Sequence, residues 1–385
     1  MVQNQTRRIA IVGASVRAAA QSAVRAGFEV IAADLFADAD LRTVCDATRV
    51  RDYPDGLAEW LAAQSVDAWM FTGAIENHPE LIDRMASIAP LWGVQGRSLR
   101  NARDPLCLQR LLANAGVAFP ETQAARDASR VSGAWLAKSY RGASGSGVAR
   151  LGSNEETPAG GYVQRFVPGR PMSVVYAVNA RGARLLGVTE QLVGQPGVAE
   201  WGYCGSIGPI EPRPLMLETL QRLGGVLADD LELRGVVGVD LVVADDQVTV
   251  IEINPRYPAS AEVLERATGR SVVAAHAAAC GGESVDPWPL TTDRLDAKRI
   301  VYAPSGATAT DAFIGWAETE QAAGRLADLP RGGDRFEPGS PVCTVLSSGA
   351  GEADAREAVD TAHDAAIDRL QHHNTRSETP ACGSE

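Results

Sequence analysis

The run from Val236 to Tyr257, VVGVDLVVADDQVTVIEINPRY, sets two stretches of β-branched residues on either side of Asp245-Asp246, the pattern of an antiparallel hairpin. Side chains alternate across a strand, so Glu252, Asn254 and Arg256 fall on one side, with Ile251 and Ile253 on the other. If the loop holds three residues, Asp245 to Gln247, Asp240 stands opposite Glu252 and Asn254 lies one step further along. Two carboxylates and an amide oxygen then share a face. Hard oxygen donors of this kind suit a divalent cation such as Mg²⁺, or Mn²⁺ in its place, which keeps waters and shares its other positions with phosphates. An acid on the solvated face of an edge hairpin is the plainer reading, but solvation calls for no such grouping.

The chain has 385 residues, too many for one typical core, which points to two or three domains. Arg8 to Val12 read as a buried strand ending at Gly13, Ala18 to Ala26 as a helix stopped by Gly27, and Glu29 to Ala33 and Asp67 to Phe71 as further strands. This alternation describes an open parallel α/β domain over residues 1–97. Gly13 and Asp34 have the spacing of a dinucleotide site, but IVGASVRAAAQ lacks the second and third glycines of that fingerprint. A strand-to-helix turn with a solvated acid is the simpler account.

In a second region, residues 98–290, Asp104 can cap a helix that begins at Pro105 and leaves at Gly116. Ala134 to Lys138 form a strand entering the glycine-rich stretch Arg141 to Gly147. Gly161 to Val167 and Met172 to Asn179 are strands about Pro168-Gly169, and Leu215 to Leu233 a helix. Residues 291–373 open with a strand at IVYAP and close with a strand at Pro341 to Leu346 and a polar helix from Glu352 to Gln371. Residues 374–385 have almost nothing to bury and read as a disordered tail.

A formal charge of −12 argues against nucleic acid or anionic membrane as the main partner. The six cysteines lie far apart, with no Cys-x-x-Cys and no paired His, so neither a zinc site nor a disulfide framework is indicated, and a reduced cytoplasm fits. The apolar run before Gly13 is too short for a signal-peptide core, and no stretch is long enough to span a membrane. With five histidines, no Ser-His-Asp or Cys-His arrangement stands out, and His78 in ENHPE reads as a loop residue.

Lys138 ends a strand just before RGASGSG, where an ammonium can reach a phosphate while the loop lays backbone N–H groups against its oxygens. A flexible surface loop is the competing reading, and the G-K-[ST] of a Walker loop is missing. Taken in order, these motifs resemble those of the ATP-grasp carboxylate-amine ligases. The resemblance implies an N-terminal pre-ATP-grasp domain, a central ATP-grasp domain of two α+β subdomains with a lid subdomain at about residues 120–170, and a small barrel-like C-terminal segment. It implies ATP as substrate and Lys138 beside its phosphates. Gly142, Ser144, Gly145 and Gly147 would lie in the lid, and Gln164, Arg165, Phe166 and Val167 in the hinge that meets adenine. By the same resemblance Asp240, Glu252 and Asn254 become Mg²⁺ ligands, and Arg256 the grip on a substrate carboxylate or acyl-phosphate.

The partners implied are a small carboxylate and an amine, with a homodimer as one possible assembly. Tyr203-x-Gly-Ser-Ile-x-Pro resembles the branch containing tyramine:glutamate ligase and other ligases of one-carbon coenzyme biosynthesis. Departures are plain. Asp104-Pro105 stands where the family commonly has Asp-Lys, leaving Arg103 or Arg110 to supply that charge. Gln164 and Pro171 stand where hinge and ribose-binding glutamates are expected, leaving Glu190 or Glu200 as substitutes. A protein that binds MgATP without catalysis is the alternative these departures raise.

Overall fold

The computed structural model describes residues 7–125, 133–151, 160–195 and 198–375. Strands β1 (Arg8–Gly13), β2 (Glu29–Asp34), β3 (Asp46–Arg49) and β4 (Ala68–Phe71) form a parallel sheet in the order β3-β2-β1-β4. Three of these strands match the sequence reading. They are buried on both faces, as parallel strands between helices are. The fourth, β3, has the sequence DATR and exposes three of its four residues at the sheet edge, so no apolar run announces it. Because β2 and β4 flank β1, a crevice opens at the C-terminal ends of β1 and β4, the usual ligand position in such sheets.

The helix Pro105–Asn114 begins as expected: the Asp104 carboxylate accepts from the N–H groups of Leu106 and Cys107, at 2.9 and 3.3 Å. Next come β5 (Thr122–Ala124), β6 (Trp135–Ser139), β7 (Val148–Leu151) and β8 (Gly161–Arg165), an antiparallel sheet in the order β5-β8-β6-β7. A larger antiparallel sheet holds β9 (Arg170–Asn179), β10 (Gly182–Val193), β11 (Tyr203–Gly208), β12 (Gly235–Ala244) and β13 (Gln247–Asn254). It continues through β14 (Leu295–Tyr302), β18 (Pro341–Gly349) and β16 (Leu326–Ala327), while β15 (Ala307–Thr308) pairs with β17 (Arg335–Phe336). The C-terminal strands therefore extend the central sheet, through β11 pairing with β14. The helix over the last described residues runs from Glu352 to Thr375; residues 376–385, most of the expected tail, lie outside the described residues.

The hairpin of β12 and β13 turns more tightly than a three-residue loop would. Ala244 pairs with Gln247, and Asp245 and Asp246 have φ of 46° and 67°, a two-residue turn that matches the twist of its strands. Asp240 nonetheless stands opposite Glu252, because the register shifts between Asp240 and Leu241, with Leu241 opposite Val250. That bulge leaves Ile251 unpaired, and Ile251 lines the same cavity as Glu252 instead of facing away from it.

Packing joins these layers. One apolar cluster combines Trp69 and Phe71 of the parallel sheet, Leu108 and Leu112 of the capped helix, and Val237 and Val239 of β12. A second combines Ile9 and Ile11 with Val175 of β9 and Leu264, and a third holds the C-terminal segment through Phe313, Val345 and Val359. His276 shows how polar groups are settled at this boundary: its Nδ1 accepts from Val236 N–H at 2.8 Å, and its Nε2 lies 3.1 Å from the Trp92 carbonyl. Burial pushes its pKa down to about 4. A base with a depressed folded pKa stabilises above its unfolded value near 6.5 and loses that contribution as pH falls toward 4, by about 3 kcal/mol. An NMR titration should find the ring neutral down to about pH 5; protonation near pH 6.5 in the folded protein would contradict this.

Among the described residues no helix is long and apolar enough to cross a membrane. Cys45, Cys107, Cys204, Cys280 and Cys343 are free thiols.

Candidate functional site

A cavity of about 310 Å³ opens between the β5–β8 sheet and the β12–β13 hairpin. Lys138, Ser144, Gly145 and residues 164–167 line one wall; Asp240, Glu252, Asn254 and Arg256 line the other. Gly142 borders a smaller adjoining cavity of about 60 Å³. Gly147 lines neither cavity. Its φ of 74° closes the turn, and its carbonyl accepts from Ser139 N–H at 3.0 Å.

Lys138 reaches inward from β6, buried, and its Nζ donates to Gln164 Oε1 at 2.7 Å. Burial lowers its pKa, opposed by the charges of Glu252 and Asp240. Gln164, in the place expected for a hinge glutamate, also donates to Thr122 Oγ1 at 3.2 Å, so it fixes the lysine. Beyond β6 the glycine-rich loop folds back on itself through Ser146 N–H to Ala143 O at 2.9 Å. The amides of Ser144 and Gly145 have no partner among the described residues and stand at the wall of both cavities. A Cβ on Gly145 would lie 1.8 Å from the Trp201 carbonyl, so only glycine lets the loop dock there.

Beyond β8, the main chain of Val167 has no partner among the described residues and stands at the cavity wall. Arg165 turns its guanidinium to Glu121, at 3.1 Å, and to the Trp135 ring. Phe166 packs with Trp201 at 5.5 Å between ring centroids, and Arg150 lies over both rings. Trp201 and Tyr203 both line the cavity. The acids named as substitutes for a ribose ligand are occupied: Glu190 bonds Arg170 and Arg356, each at 2.6 Å, and Glu200 bonds Arg150 at 2.8 Å.

The acidic wall is fully cross-linked. Asp240 accepts from Gln191 Nε2 at 2.7 Å and from Asn254 Nδ2 at 2.9 Å. Burial, then repulsion from Glu252, raises the Asp240 carboxyl; Glu252, although burial opposes it, is held below the usual range by Arg103 and Lys138. Of the two arginines proposed to replace the missing lysine, Arg103 is in the site and bonded to Glu252, whereas Arg110 is exposed and lines neither cavity.

Arg256 pairs with Glu76 and not with Glu262, although Glu262 is far closer along the chain. Its Nε donates to Glu76 Oε1 at 2.9 Å and its Nη2 to Asn254 Oδ1 at 3.3 Å, while Glu262 bonds Arg17 and Lys298. Glu76 and Asn77 escaped the sequence reading, which took ENHPE for a loop. They follow β4 at the crevice of the parallel sheet, and the position after that strand is the signal that could have found them. Asn77 Nδ2 donates to the carbonyls of Arg141 and Gly142, both at 3.2 Å, so the N-terminal sheet reaches the glycine-rich loop. His78 sits between these residues and the next helix, as a loop residue. Asp34 accepts from three main-chain N–H groups, of Val16, Phe36 and Ala37, and so offers nothing to a dinucleotide ribose.

No cluster of three or more His, Cys, Asp or Glu side chains able to hold a metal occurs among the described residues. Two carboxylates and an amide oxygen on one wall, with the ionisation of Asp240 penalised, fit a divalent ion shared with phosphate oxygens and not an all-protein cage.

The ATP-grasp domain family matches residues 102–260. No curated protein sequence matches the chain significantly. Among solved structures, an N5-carboxyaminoimidazole ribonucleotide synthetase in its ADP complex superposes with a TM-score of 0.70 and 18% identity, covering 96% of this chain and 98% of that one. The L-amino acid ligase of Bacillus licheniformis gives 0.71 and 15%, over 94% and 98%. The biotin carboxylase domain dimer of Hydrogenobacter thermophilus 2-oxoglutarate carboxylase, solved with MgADP, ADP and bicarbonate, gives 0.72 and 14%, over 98% and 96%. Residues 102–260 thus match the ATP-grasp domain family, and the chain has the ATP-grasp fold over nearly its whole length.

Proposed function

We propose that this protein is an ATP-dependent ligase that activates a carboxylate as an acyl-phosphate and joins it to an amine. The observation that carries the reading is the meeting, around one cavity, of a buried lysine, two unpartnered loop amides, an acidic wall and a guanidinium tied to Glu76. ATP binds with its base at the Val167 main chain and its phosphates between Lys138, the amides of Ser144 and Gly145, and the acidic wall. Mg²⁺ held by Asp240, Glu252 and Asn254 would supply charge neutralisation at the phosphates. Arg256 is fixed through Nε by Glu76, and its Nη1 and Nη2 donate to the Tyr257 carbonyl and Asn254 Oδ1; the second N–H of each Nη is left to grip the substrate carboxylate or the acyl-phosphate in a two-pronged geometry. The carboxylate oxygen attacks the γ-phosphorus as ADP leaves; the amine then attacks the acyl carbon and inorganic phosphate leaves. Positioning and electrostatics carry both steps, with no side-chain nucleophile.

Structural relatives include an L-amino acid ligase, which supports an amino acid as substrate; a small coenzyme precursor is the other substrate class we propose. We place the protein in the cytoplasm, and a homodimer is in keeping with the dimeric biotin carboxylase domain among the relatives. A screen of acids and amines scored by ADP release, with mass detection of the product, tests the reading: one pairing should release ADP and yield a mass equal to acid plus amine minus water. MgATP binding with no ADP release from any pairing would favour the non-catalytic alternative.

A further inference from the structure

Arg103 is the most heavily engaged side chain of the site, and no step above uses it. Its Nη1 donates to Glu252, to Asn254 Oδ1 at 3.3 Å and to the Ile253 carbonyl at 3.2 Å. Its Nη2 donates to Asn77 Oδ1 at 3.0 Å and to the Gly142 carbonyl at 3.5 Å. It therefore ties the hairpin, the N-terminal sheet and the glycine-rich loop together, with only 13% of the side chain exposed. Two of the oxygens it holds, on Glu252 and Asn254, belong to the acidic wall assigned to the divalent ion.

We propose that Arg103 is a built-in counter-ion: it occupies the cation's place on Glu252 and Asn254, and gives it up when a metal–nucleotide complex enters. This rests on reading the site as one for a metal–nucleotide. A guanidinium and a divalent ion repel, and they compete for the same donor oxygens, so metal alone enters at a disadvantage. Triphosphate changes the balance by offering the displaced guanidinium a bidentate seat. The Nε, buried with no acceptor among the described residues, marks the present seat as incomplete, and a phosphate oxygen would satisfy it. The backbone is fixed by the Asp104 cap and by Pro105, so the exchange is a swing of the side chain alone. With proline where the lysine would stand, the charge arrives from two residues upstream, on an arm that reaches the metal ligands first. Metal and nucleotide then bind with positive coupling.

Titrating the full chain with Mn²⁺, with and without ADP, by isothermal calorimetry or by the free-ion paramagnetic resonance signal, tests this. In the wild type, ADP should tighten Mn²⁺ binding by at least about tenfold. In Arg103→Met, Mn²⁺ alone should bind about tenfold more tightly than in the wild type, ADP should bind more weakly, and the coupling should shrink. Arg103→Lys, which keeps the charge on an arm without the fork, should fall between them and serves as the folded comparison if the Met variant is unstable. If the wild type binds neither Mn²⁺ nor ADP, the metal–nucleotide reading fails and takes the inference with it. If the wild type binds both, but a folded Arg103 variant binds Mn²⁺ alone no more tightly, the inference fails by itself.

Discussion

Glu252→Gln should lower the proposed ligation by at least about 100-fold while leaving the chain folded, because losing even an outer partner of a metal ligand commonly costs 10–100-fold. Glutamine keeps the shape and one oxygen but removes the charge that would meet the proposed cation on the acidic wall. The effect on the fold is small because two changes oppose each other. Arg103 loses its carboxylate partner, while Asp240, whose ionisation is penalised by burial and then by Glu252 directly across the hairpin, is relieved. Initial rates of ADP release, Mn²⁺ affinity in the presence of ADP, and the melting curve of one preparation decide the matter. Near wild-type rate with weakened melting would make Glu252 a structural partner of Arg103 and move the metal elsewhere.

Arg17→Met should destabilise the protein by about 3–5 kcal/mol, since removing one partner of a buried ion pair strands the other charge. The guanidinium is 2% exposed on the first helix of the parallel sheet. It bonds Glu262 of the helix that follows the Asn-Pro-Arg motif, and it bonds Asp328 of the C-terminal segment at 2.9 and 3.2 Å. Asp40 lies 3.7 Å away and accepts from the main chain of Asp328 and Leu329 at 2.9 and 3.0 Å. One side chain therefore joins three regions of the chain, and without it only Lys298 remains against Glu262, at 3.2 Å.

Without Arg17 its neighbouring acids ionise less readily in the folded chain, since the guanidinium offsets burial at Asp40 and is the first counter-charge that holds Glu262 down. A carboxyl raised in the folded state destabilises at high pH and stops doing so as it protonates. The deficit against wild type should therefore narrow as pH falls from about 8 to about 5. Urea midpoints at several pH values, with limited proteolysis to detect release of the N-terminal region, measure this. A midpoint equal to wild type at pH 8 would show that the node carries no net stability.

Local sequence settled the parts of this protein that rest on short-range rules. The apolar runs of β1, β2 and β4, the cap and exit of the Pro105–Asn114 helix, and the acidic hairpin are each specified within a few residues, by alternation, capping oxygen or turn chemistry. So is Lys138 at the mouth of a glycine-rich loop, because strand end and loop are contiguous in the chain. The bulge at Ile251 was not legible. A bulge answers to the partner strand, and here it restored the Asp240–Glu252 pairing that the tighter turn alone would have shifted. Strand β3 was hidden because an edge needs no apolar face.

Tertiary structure alone decided which long-range charges meet. Arg256 sits 180 residues from Glu76, and Arg17 lies 245 residues from Glu262 and 311 from Asp328. Nothing in spacing or periodicity relates such positions, since their approach depends on how the parallel sheet docks on the central one. The fold also chose Arg103 over Arg110, while contacts outside the parallel sheet gave Glu190 to Arg170 and Arg356 and Glu200 to Arg150. The sequence by itself therefore determined the donors of the acidic wall and their sheet. Only the folded chain determined which cations face them, because a hairpin is written in neighbouring residues, whereas a counter-charge is brought by burial from wherever the fold places it.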